Sequence, residues 1–275
     1  MSWDSLLEPL QYGFMQKALL SSAMSSGVCA ILSVFLLLKG WSLIGDALSH
    51  AVVPGVAMAY LGKFPYSLGA FFTGFLAAAS MLLLKQLSML RQDAIIGFVF
   101  TVFFAFGMLL ISIYPTAINL QAIIYGNILG IDERSLWQML WISLISLLVI
   151  AVKWRDFMLL FFDEVQAVTS GLGIRHLQWL FFGLVSASVV AALQTVGAIL
   201  VIALLITPGA TAFLLSKRFG VVLWLAFLIG VSTALLGTYL SYFLDVVTGA
   251  MIVVLQSALF FLVFMVKRLQ ARWRV

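Results

Sequence analysis

The chain has 275 residues, of which 64% are hydrophobic and only 9% are charged, and its mean hydropathy is +1.18. So apolar a composition excludes a water-soluble globular domain. The formal charge of +5 does not argue for nucleic-acid binding, because excess Lys and Arg in a membrane protein report orientation.

Repeated apolar runs of about 20 residues predict an all-α, polytopic transmembrane helical bundle. The runs do not alternate polar with apolar residues, as a membrane β-barrel would. The opening Met1–Pro9 carries Asp4 and Glu8 and no base, so it does not read as a signal peptide. Apolar segments then follow at roughly 14–38, 43–62, 66–84, 94–114, 136–152, 178–193, 197–214, 221–244 and 248–266. The 178–214 block is a single run interrupted by Gln194, Thr195 and Gly197. As one helix it would overshoot a bilayer, so it reads as two helices joined by a tight turn. The expectation is therefore about nine membrane helices, or eight if part of that block is re-entrant. The polar connections near 115–135 and 153–177 leave no room for a soluble domain, so residues 1–275 read as a single transmembrane domain. The lone Cys29 forms no internal disulfide and reads as a small packing residue.

The basic residues test this layout. With the N-terminus outside, Lys39, Lys85, Arg91, Lys153, Arg155, Arg175, Lys217, Arg218, Lys267, Arg268, Arg272 and Arg274 all fall on the cytoplasmic side. Only Lys17, Lys63 and Arg134 stay outside, the last beside Asp132 and Glu133. That bias is the positive-inside pattern, and it predicts an N-out/C-in topology.

Against this background the second segment is anomalous, because it holds Asp46 and His50. Ionisable groups at membrane depth are costly and usually face a bundle interior or a pathway. Four residues apart, the two share one helix face, on a stripe with Ser49 and Val53. Counted from Ser42, His50 lies roughly 12 Å into a core about 30 Å thick. A carboxylate with an imidazole suits Mn²⁺, Fe²⁺ or Zn²⁺, and the absence of sulfur argues against Cu⁺. The other histidine, His176, falls in a polar loop beside Arg175 and reads as a solvated surface residue. A four-ligand site then requires two chains, as a shared His₂Asp₂ shell. The alternative is a structural Asp–His pair that locks helices together. There is no GxxxxGK[ST] phosphate loop and no HExxH pair, so neither nucleotide chemistry nor zinc hydrolysis is expected of this chain.

Four stretches, in order, carry a resemblance. They are Ser42–Gly55 (SLIGDALSHAVVPG), Tyr125–Gly130 (YGNILG), Phe162–Ala167 (FDEVQA) leading to Gly171, and Gln194–Gly197 (QTVG) running to Thr207–Ala212 (TPGATA). Together they resemble the membrane permeases of metal-ion ABC importers, the manganese/iron/zinc group, over nearly the whole chain. Such permeases are similar in turn to the cobalamin/siderophore type of importer, with one helical domain per chain and two chains per transporter. The resemblance implies that Asp46 and His50 line the translocation pathway and coordinate the transported ion, with no permanently bound cofactor. It implies that the Thr207–Gly220 region turns at the cytoplasmic face and docks on an ATPase subunit, with Pro208, Gly209, Lys217 and Arg218 as the coupling region. The residues agree independently: Thr207-Pro208-Gly209 interrupts a helix, and Lys217-Arg218 then mark the inner side.

Asp163–Arg175 reads as a second cytoplasmic contact or as a solvated connector. Asn119, Gln121 and Asn127 line an outer mouth or cap short helices. The implied partners are cytoplasmic ABC ATPase subunits, a second permease chain (identical or related), an extracytoplasmic metal-binding protein and membrane lipid, with no nucleic acid. The implied location is the bacterial cytoplasmic membrane, crossed several times.

Overall fold

A computed structural model describes residues 8–114 and 130–272. The helices are α1 (Gly13–Lys39), α2 (Ile44–Ala51), α3 (Val53–Gly62), α4 (Tyr66–Leu87), α5 (Gln92–Ile113), α6 (Glu133–Phe162), α7 (Glu164–Thr169), α8 (Ile174–Val196), α9 (Ala198–Leu204), α10 (Thr207–Leu215), α11 (Phe219–Leu244) and α12 (Thr248–Arg272). Among the described residues there is no strand. Asn119, Gln121, Asn127, the Tyr125–Leu129 part of its motif, and Arg274 lie outside the described residues.

α1 is the axis of the bundle. Its serines and glycine permit close approach: Gly27 faces Phe227, and Gly230 of α11 sits on Ala30 and Ser26. Thr238 donates to Ser22 Oγ at 2.9 Å, so α11 runs antiparallel to α1. α6 runs parallel to α1, with Lys17 paired to Glu133 (3.0 Å) at one end and Phe35 against Phe157 toward the other. Phe35 also meets Phe161, Phe181 and Phe219, tying α1, α6, α8 and α11 together near the Lys39 end. Cys29 is fully buried in α1, as a packing residue should be.

At the other end of α6, the Asp132 carboxylate accepts from the Ser135 N–H at 3.2 Å. Those hydrogen bonds from Ser135 hold the Asp132 carboxyl below its usual range.

Eight helices are long and apolar enough to cross a membrane among the described residues. The expected ninth segment is present, but as two short pieces, α9 and α10. Two residues break it. Gly197 adopts φ 81°, ψ 165°, a region essentially open only to glycine. Pro208 then lacks the N–H that would bond to Leu204, where α9 ends. The broken pair begins beside Gly249, which lies against Val196 and Leu200. It finishes with Gly209 packed on Ser33 and Leu37, near the Lys39 end of α1. Eight long helices thus stand beside the 197–214 segment, which runs from the Gly249 end of the bundle to the Lys39 end as a discontinuous pair.

Antiparallel packing gathers the basic residues at one end. α3 packs on α4 through Gly55–Gly69, and Lys85 at the end of α4 sits over Trp41 at 4.7 Å. Lys39 pairs with Glu164 of α7 at 3.3 Å. α12 folds back on α11, with Gln256 donating to Thr233 and Ser241 bonded to Thr248, which returns Lys267 and Arg268 to the same end. Lys17, Lys63 and Arg134 lie at the opposite end, as the sequence predicted.

Candidate metal pathway

The apolar span from Ile44 to Gly62 is a helix broken at Val52. Pro54 cannot donate to the His50 carbonyl, and α2 ends at Ala51, one residue beyond His50. The break is held from both sides. Gly107 of α5 presses on Val53 and Pro54, with a Cβ there only 2.8 Å from Val53 Cγ1. The Thr73 hydroxyl of α4 reaches the Val52 carbonyl at 3.5 Å. Gly45 lies against Leu205 where α9 ends. The short helix α2 is therefore fixed in place by α4, α5 and α9.

On α2 the predicted stripe divides. Ser49 turns inward, 2% exposed, and donates to the Gly45 carbonyl at 2.8 Å. Asp46 and His50 turn outward instead, with 46% and 33% of their side chains exposed. Two such groups left open on the flank of an apolar bundle are not solvated by their own chain.

His50 Nδ1 faces Asp46, 3.2 Å from its carbonyl oxygen and 3.6 Å from Oδ1. The second distance is too long for a strong hydrogen bond. The imidazole is wedged edge-on against Phe100 (5.4 Å) and Phe104 (5.7 Å) of α5. Those rings fix its plane, and Nε2 has no protein partner among the described residues. All polar contacts of the pair among the described residues stay within α2. Among the described residues, no group of three or more His, Cys, Asp or Glu comes together that could hold a metal. The described residues offer one imidazole and one carboxylate here, with no third His, Cys, Asp or Glu beside them.

The second predicted region is split by depth. Pro208 and Gly209 are buried in the first turn of α10, against Ser33 and Leu37. Lys217 and Arg218 are exposed in the connector between α10 and α11. The proline and glycine thus seat α10 on α1, while only the two bases are accessible to a soluble partner.

Sequence reasoning gave less weight to α7. Its N-cap Asp163 accepts from the Gln166 N–H at 3.0 Å, and Phe162, Val165 and Val168 are exposed by 78, 75 and 60%. Three apolar side chains are thus left open beside Glu164, at the end of the bundle where Lys39 lies. The signal was legible as FDEV, where an Asp cap meets apolar residues in a polar loop. His176 is exposed in the first turn of α8, as expected.

With this geometry in hand, residues 11–267 match the ABC 3 transport family. The chain belongs to that family. It is 54% identical over 257 residues to the chelated iron transport system membrane protein YfeC of Yersinia pestis, covering 94% of this chain and 87% of that one. It is 45% identical to the manganese transport system membrane protein MntB of Synechocystis, covering 94% and 84%. Among solved structures it is similar to PsaBC from Streptococcus pneumoniae in complex with Fab, at 31% identity and a TM-score of 0.85, covering 96% of this chain and 95% of that one. This ABC 3 family member is a multi-pass helical membrane protein, and its motifs are those of a transport permease rather than of an enzyme.

Proposed function

We propose that residues 1–275 form the permease domain of an ATP-driven importer that carries a divalent transition-metal ion, manganese or iron and by the same ligand chemistry zinc, into the cytoplasm. The observation that carries this reading is the outward-turned, incomplete pair Asp46–His50. One nitrogen and one oxygen per chain make half of a tetrahedral shell, and a second permease chain facing the first supplies the rest. A shell divided between two chains opens when they part, so the ion binds on entry and leaves on rocking. A complete cage within one chain could not release it that way.

The iron and manganese names of the relatives agree with a nitrogen/oxygen site. Nucleotide chemistry belongs to separate ATPase subunits docked at the Lys39 end, and an extracytoplasmic metal-binding protein delivers the ion at the other. No cofactor is held permanently, and nucleic acid plays no part. The protein sits in the bacterial cytoplasmic membrane with its N-terminus out and its C-terminus in. A cysteine placed at Lys63 is expected to react with an impermeant maleimide in intact spheroplasts. One placed at Lys217 is expected to react only after lysis, and the reverse labelling would refute this topology.

Coupling runs through Lys217 and Arg218 together with α7, on the footing that Pro208 and Gly209 give to α10. In proteoliposomes holding the permease pair and its ATPase, metal uptake should require ATP. The double charge reversal Lys217→Glu/Arg218→Glu is expected to lower uptake at least about tenfold, the equivalent of 1.4 kcal/mol of lost coupling, while the chain still inserts. Uptake without any ATPase would overturn the importer reading, and unchanged uptake in the double variant would remove these residues from coupling.

A further inference from the structure

A second concave feature of the molecule is remote from Asp46 and His50. It encloses about 490 Å³ between α6 and α11, with Ile31 of α1 as its floor. One wall runs from Leu147 to Trp154 and the other from Gly220 to Phe227. Each wall spans eight residues, so the cleft extends about 10 Å along the bundle. Its lining is aliphatic and aromatic, and its volume falls within the range of about 300–1,000 Å³ that holds small ligands. α6 packs on α1, α7 and α8, and α11 packs on α1, α10 and α12, whereas α2 and α5 pack on each other. The cleft therefore opens on a different face from the metal-ligand pair. Trp224 forms its rim, 68% exposed.

The two ends of the cleft differ. At the Lys39 end the Trp154 ring stacks on Phe219 at 6.5 Å, with an interplanar angle of 11°. The Arg155 guanidinium lies over the same indole at 5.3 Å, and Arg218 caps α11 two residues before Gly220. Lys153 is taken up by Asp156 at 3.0 Å. Neither Arg155 nor Arg218 pairs with a carboxylate among the described residues. One guanidinium without a carboxylate partner among the described residues, that of Arg155, thus stands at the mouth of an elongated, apolar slot.

We propose that this cleft holds an anionic phospholipid of the surrounding bilayer, with one acyl chain between α6 and α11 and its phosphate on Arg155. Charge complementarity selects this occupant. An apolar polypeptide helix would leave Arg155 unpaired, and a zwitterionic lipid would bring its own cation to it. Basic pockets between membrane helices favour anionic headgroups for this reason, and arginine matches a phosphate with two parallel hydrogen bonds. The lipid would fill the space between the two helices that flank α1 and brace the end of the bundle from which α7 and α10 project.

The test uses the full chain, purified in detergent and analysed by native mass spectrometry against mixed phosphatidylglycerol and phosphatidylethanolamine. Phosphatidylglycerol is expected to be retained over phosphatidylethanolamine by about fivefold or more. Arg155→Gln should bring the ratio down to that of the mixture, and Arg155→Lys should restore most of it. Ala151→Phe, which fills the slot, should lower retention of both lipids. Should that variant not fold, the two Arg155 variants decide alone. A ratio unchanged by Arg155→Gln would overturn the proposal. So would photo-crosslinking from benzoylphenylalanine at position 224 that captures polypeptide and no lipid.

Discussion

Asp46→Ala and His50→Ala are each expected to reduce cellular uptake of radioactive manganese or iron to background, while the chain stays in the membrane at its normal level. Losing even an outer-shell partner of a metal site costs about 10–100-fold in affinity, and these would be direct ligands. In the proposed shared shell, each substitution removes two of four ligands if the partner chain is identical and one if it is a related chain. Asp46→Asn and His50→Gln keep the volume and sharpen the test, since a packing role would tolerate them and a ligand role would not. Neither side chain is buried in the chain's own core, so stability should change little on substitution. That separates this prediction from one about folding. Uptake that survives both alanine variants would return the pair to a structural role.

The second large effect is on stability. Gly55→Leu is expected to destabilise the protein by at least about 3 kcal/mol and to leave little folded material after detergent extraction. A Cβ at Gly55 would land on the Gly69 carbonyl and the Thr73 hydroxyl, and a Cβ at Gly69 would land on the Gly55 carbonyl. Backbone meets backbone there, so no rotamer change relieves the clash. The same contact positions Pro54 and the end of α2, so residual folded protein should also transport poorly. Gly183→Ala serves as the control, because its Cβ meets only Phe75 at an ordinary 3.8 Å. It should melt at or slightly above the parent temperature, since alanine is the better helix former. Equal melting of the Gly55 and Gly183 variants would show that the α3–α4 contact yields more easily than its geometry implies.

Much of this protein was legible in its residues, and the reasons are physical. Hydrophobic run length marks membrane helices because bilayer thickness is constant, so α1 and α11 emerge within a few residues of their expected bounds. The bias of Lys and Arg sorted the helix ends before any contact was known. Asp46 and His50 stood out because charge in lipid is rare, and their four-residue spacing already placed them on one face.

Tertiary structure decided what run length and spacing could not. The helix count around Gly197 and Pro208 depended on whether α9 and α10 would straighten into one span, and packing on Ser33, Leu37 and Gly249 keeps them broken. The Asp46–Ser49–His50 stripe divided because Ser49 satisfies itself on the Gly45 carbonyl while Phe100 and Phe104 hold the imidazole outward. Pro208 and Gly209 proved to be buried supports, leaving the surface to Lys217, Arg218 and α7. The cleft between α6 and α11 had no sequence signal at all, since its walls read as ordinary apolar helix. Chemistry and periodicity are local and visible in a chain. Which face meets which neighbour, and which face meets none, arises only when helices far apart in sequence are packed together.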